Sequence, residues 1–186
     1  MKRLLLPLFI LVAIGQLSVP AMMAWNRAQT LKHGRVWKFK TAPVDPVDAV
    51  RGRYVALQFE AEEVPQNERV NWNREVYVLL KEDENGFAVV DRLSNEPLKG
   101  DNVFRATSRG WWEGKQRITF PFQKYWLAEQ IAPEAENAYR LNSTRTHQNA
   151  YVTVRVRNGD AALDQLYIDN KPLVEYLRAV EAASKK

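Results

Sequence analysis

Hydrophobic positions change their spacing repeatedly along the chain, and each change marks an element. After a basic start at Lys2 and Arg3, Leu4 to Trp25 carries no charged residue. As a helix that run extends about 33 Å, enough for a hydrocarbon core of roughly 30 Å. Trp25 at its end suits the interfacial layer. The most apolar part, Leu4 to Ile14, also has the length of a signal-peptide core, and Val19-Pro-Ala21 is a passable cleavage site. An uncleaved anchor is the expectation and a cleaved leader the alternative; both export the rest of the chain. Asn26 to Arg35 is polar and reads as a juxtamembrane helix or linker ending near Gly34.

Beyond Gly34 the period falls to two. Val36 to Lys40 alternates as a first strand, and from Arg53 to Glu62 one face carries Val55, Leu57, Phe59 and Ala61. Glu75 to Lys81 and Phe87 to Leu93 flank Asn85-Gly86, a short-range hairpin signal, and Tyr151 to Arg157 and Ala161 to Ile168 flank a second, Asn158-Gly159. A further hairpin, Val103 to Trp112 with Arg117 to Phe122, turns around Glu113-Gly114. Tyr125 to Leu141 is rich in alanine and glutamate and predicts helix, restarted at Pro133. After Pro172, Leu173, Leu177 and Val180 make one stripe of a final amphipathic helix. The fold class expected is mainly β (α+β): a transmembrane helix, then an antiparallel β-rich domain with short helices. The boundaries are 1–26 for the anchor, 27–41 for the juxtamembrane segment and first strand, and 42–186 for the domain.

The chain is organised around Pro43 to Glu60. Asp45 before Pro46 is a helix-start signal: Asp accepts from free first-turn amides, and proline loses nothing there. Asp48 adds a carboxylate at the positive end of the dipole. Gly52 then ends one or two helical turns, and the strand begins. Gly52-Arg-Tyr54-Val-Ala-Leu57-Gln-Phe59 resembles the signature of the GDYXXLXY family of membrane-anchored bacterial proteins, and Pro43-Val-Asp45-Pro46-Val-Asp48 is similar to the run that precedes it. Arg53 stands where the family has Asp, and Phe59 where it has Tyr. A second patch, Lys124-Tyr125-Trp126-Leu127-Ala128-Glu129, resembles the family's Arg-Tyr-Phe-Val-Pro-Glu segment. The resemblance implies a single-pass inner-membrane protein with its domain periplasmic, beside a polytopic membrane partner, and it implies no known activity. The expected interaction cluster is Asp45, Asp48, Arg51, Gly52, Tyr54 and Leu57, with Tyr125 and Glu129 as neighbours across the fold.

Composition narrows the chemistry. The 186 residues contain no cysteine, which excludes disulfides, thiolate nucleophiles and thiolate-held zinc, and only two histidines. Taking Lys2 and Arg3 away with the leader lowers the formal charge from +5 to +3, too balanced for nucleic acid by charge alone. Arg27, Lys32, Arg35, Lys38 and Lys40 compete with the amino-terminal charges, so the positive-inside rule leaves orientation open. No catalytic motif, metal set or cofactor site is expected, and a non-catalytic accessory or binding module is the leading reading. A cell-envelope hydrolase using paired carboxylates is one alternative. A lipid- or glycan-binding module is the other, built on Trp111, Trp112, Phe120, Phe122, Tyr125 and Trp126. Core filling is the ordinary role of such a cluster; exposed rings would point to a ligand.

Overall fold

A computed structural model describes residues 2–42, 54–65, 70–144 and 147–184. Helix α1 (Lys2–His33) takes in both the uncharged run and the juxtamembrane segment without interruption. None of its most apolar stretch is buried, and it is long and apolar enough to cross a bilayer or serve as a signal sequence. Its last turn packs on the domain, where Thr30 is buried. Gly34 stops it: the Gly34 amide donates to Thr30 O at 2.8 Å, and a Cβ there would stand 2.5 Å from that same oxygen.

The strands follow as β1 (Arg35–Ala42), β2 (Tyr54–Ala56), β3 (Gln58–Phe59), β4 (Glu63–Pro65), β5 (Glu75–Glu82), β6 (Ala88–Ser94), β7 (Val103–Trp112), β8 (Lys115–Thr119) and β9 (Lys124–Trp126). Helix α2 (Ala132–Asn142) comes next. It is followed by β10 (Ser143–Thr144), β11 (His147–Gln148), β12 (Ala150–Arg157), β13 (Asp160–Ile168), β14 (Lys171–Pro172) and α3 (Leu173–Ser184). Two five-stranded antiparallel sheets result, in the orders β14-β13-β12-β1-β3 and β4-β8-β7-β5-β6.

One apolar core lies between them. Phe39 from the first sheet meets Phe104 and Phe120 from the second side edge-on, with centroids 6.3 and 5.5 Å apart, and Phe59 and Phe122 close the cluster. Such edge contacts suit the ring quadrupole. The sheets are also laced by backbone. Asn158 and Gly159 both take positive φ, as a tight hairpin turn requires. The turn docks on β7, with the Arg105 amide donating to Gly159 O and the Gly159 amide to Val103 O.

Three expectations need correction. The strand expected over Arg53–Glu62 is interrupted: β2 and β3 pair with different strands, and a 3₁₀ turn (Glu60–Glu62) follows. Val55, Leu57 and Phe59 still point inward, so the alternation is real and only the partner changes. The helix expected from Tyr125 begins only at Ala132, with Pro133 in its first turn; Tyr125 instead lies in β9. Strand pairing outweighs the local preference of Ala128 and Glu129, which sit in the connecting turn. The polar stretch Ala61 to Asn73, which from sequence alone reads as a connection around Pro65, contains an edge strand at Glu63–Pro65, a position where proline is tolerated. The helical turn expected over Asp45–Arg51 lies outside the described residues.

Candidate functional site

The two sequence patches meet. Strands β2 and β9 form an antiparallel ribbon of their own, with Tyr54 opposite Trp126, Val55 opposite Tyr125 and Ala56 opposite Lys124. The Leu57 amide donates to Gln123 O at 2.8 Å and extends the pairing by one rung. Alternation then sorts the side chains. Val55 and Leu57 go into the core, while Tyr54 and Trp126 face outward with ring centroids 5.1 Å apart. Trp126 is 62% exposed. Lys124 holds its ammonium 4.8 Å from the centroid of the Tyr54 ring, a cation–π contact. Tyr125, half-buried, donates to Gln165 Oε1 on β13 at 3.2 Å, and burial pushes its phenol above the ordinary value. Glu129 lies in the exposed turn three residues past Trp126. Of the expected cluster, Tyr54, Leu57 and Tyr125 therefore come together, and Glu129 stands close along the chain. Asp45, Asp48, Arg51 and Gly52 lie outside the described residues.

Next to the ribbon is the base of α1. A cavity of about 250 Å³ is lined by Arg27 from the helix, by Phe120 to Lys124, by Trp126, and by Leu163 of β13. Arg27 is the first charged residue after the uncharged run, a signal already present in the sequence. Arg27 also borders a second cavity, of about 470 Å³, where Arg105 pairs with Asp160 and approaches Glu75.

A separate groove of about 780 Å³ gathers Glu60, Glu62 and Glu63 with Arg109, Lys115 and Arg117. Glu62 is partly buried, and desolvation pushes its carboxyl above the ordinary value despite bonds that oppose the shift. Those bonds come from the amides of Phe59 (3.3 Å) and Phe120 (2.8 Å) and from Gln123 Nε2 (2.9 Å). One carboxylate thus ties the 3₁₀ turn to the segment leading into β9. Glu63 is held below the ordinary value by its hydrogen bond with Lys115, and Arg117 lies on its other oxygen. Sequence reasoning missed Glu62 because it sits on the polar face of an expected strand. Only the 3₁₀ turn folds it inward. Among the described residues, no three His, Asp or Glu side chains converge as metal ligands would.

The aromatic cluster divides. Phe120 and Phe122 are core, but Trp111, Trp112 and Trp126 are exposed, so core filling accounts for only part of it. Trp72, also exposed, donates its indole N–H to Arg109 O and lies against Gly110 beside Trp111 and Trp112.

A family model described as GDYXXLXY protein matches residues 16–166, most of the chain, and spans both halves of the ribbon. The chain belongs to the GDYXXLXY family. No curated protein and no solved structure matches it.

Proposed function

We propose that this GDYXXLXY protein is a single-pass membrane-anchored module of the cell envelope. Its sandwich lies on the periplasmic side, and it acts by contact with a polytopic membrane partner, without turnover. The observation that carries the reading is the β2–β9 ribbon. It joins two distant motif segments, presents Tyr54, Lys124 and Trp126 outward, and adjoins the base of an apolar helix. Tyr and Trp are enriched among the residues that anchor protein interfaces. A photocrosslinking residue at Trp126 in native membranes tests it. One integral membrane protein captured there, and not from a probe at Trp72, is the expected result. Crosslinks scattered over many proteins, or none, count against a partner.

A hydrolase is the second reading, favoured by Glu62. A carboxyl raised by burial next to one held down by cations is the separation that acid–base chemistry uses. Loss of a cell-wall-hydrolysing activity in Glu62→Gln, with the fold intact, is the result that would promote it. The hydrogen bonds that occupy both oxygens of Glu62 favour a structural role instead.

A further inference from the structure

We propose that the cavity between the base of α1 and β9 binds the phosphate headgroup of a membrane phospholipid. This rests on the reading of α1 as a bilayer anchor. Among the described residues two cations, Arg27 and Lys124, line the cavity, and no carboxylate does. Near the base of α1, Arg35 is matched to Glu82 and Arg155 to Asp164. Arg27 makes no ion pair among the described residues, and Lys124 rests on the face of Tyr54. Arg27 also borders the larger cavity, where Asp160 and Glu75 face Arg105, whereas Lys124 borders only the cavity on the β9 side.

Depth supports the same occupant. Arg27 follows the last uncharged turn of α1, which is where phosphates begin when the helix crosses a bilayer. Trp25 and Trp126 are 66% and 62% exposed in this zone, and indoles favour the headgroup layer because one edge is polar and the body apolar. Acyl chains would continue along the exposed apolar surface of α1, past Met23 and Met22. A guanidinium offers the phosphate two parallel donors, and the ammonium adds a point charge on the same wall. Lys124 lines the cavity while its ammonium lies 4.8 Å from the centroid of the Tyr54 ring.

The test uses the purified full-length chain in a neutral detergent, titrated separately with short-chain phosphatidylglycerol and with inorganic phosphate. Retained lipid is read by native mass spectrometry and affinity by intrinsic fluorescence. Saturable retention of the lipid is expected, weakened about tenfold by either Arg27→Gln or Lys124→Gln, as loss of one charge-assisted contact implies. Lys171→Gln, on β14, should match wild type. All variants are first required to melt cooperatively. Non-saturable retention, or wild-type affinity in both cavity variants, overturns the site. Displacement of the lipid by an equal concentration of inorganic phosphate overturns the lipid source. Carbonate extraction of the membranes from which the chain is purified separates the two proposals. A chain washed out of the membrane ends the anchor reading, whereas a membrane-integral chain without saturable lipid ends the headgroup site alone.

Discussion

Glu62 shows how one side chain serves both the fold and its pH response. Burial makes the ionised form costly, and the amides of Phe59 and Phe120 return part of that cost. The folded protein therefore holds the proton more tightly than the unfolded chain. Stability tied to this group is greatest at low pH and declines as the pH rises above the ordinary carboxyl value of 4.5. Glu62→Gln should flatten that decline, measured as the difference in denaturant midpoint between variant and wild type from about pH 4 to 8. Glu62→Ala should instead lower stability at every pH, by about 1–3 kcal/mol for each donor left without an acceptor. Tyr139 on α2 is the complementary case. It is buried without charge, its phenol pushed up to about 12, and it is tied to β1 through Ala42 O. Neither role was legible beforehand. The sequence offers Glu62 as one of several outward carboxylates, and Tyr139 as one position of an alanine-rich helix.

At the scale of elements, the period-two segments were legible because each strand buries one face. Val152, Val154 and Val156 are inward as their alternation required, and both Asn-Gly turns lie between paired strands. What alternation cannot reveal is the partner. Val55, Leu57 and Phe59 continue one apolar row while the backbone leaves β9 for β1 between them, a choice made by residues far away in sequence. The same long-range pairing explains why Tyr125 is strand despite helix-favouring neighbours. The two motif patches were legible as patches, and their adjacency was not. The register can be checked directly, since the chain has no cysteine of its own. Tyr54→Cys with Trp126→Cys should crosslink under mild oxidation, whereas Ala56→Cys with Trp126→Cys, two positions out of register, should not. Equal yields from both pairs would mean that the ribbon slides or does not form.

For the whole molecule, the core and the anchor are separate. The buried cluster runs from Trp37 to Leu173 and draws nothing from the apolar stretch of α1. A chain beginning at Asn26 should therefore remain folded and become freely soluble, with a cooperative melt followed by near-ultraviolet circular dichroism. A molten product would mean that the helix contributes more than attachment. Thr30, buried against the domain, marks the point beyond which truncation should begin to cost stability.

The junction at Gly34 has a mechanical consequence. A single residue separates the end of α1 from the start of β1, and β1 is bonded on both edges, to β12 and β3. The tether has no slack. The sandwich cannot reach outward on a leash to find distant targets; its targets must come down to it. Any tug on the helix arrives undamped at the Arg35 end of β1, where the first rungs are those to β12 and the bonds to β3 lie at the far end, at Thr41 and Ala42.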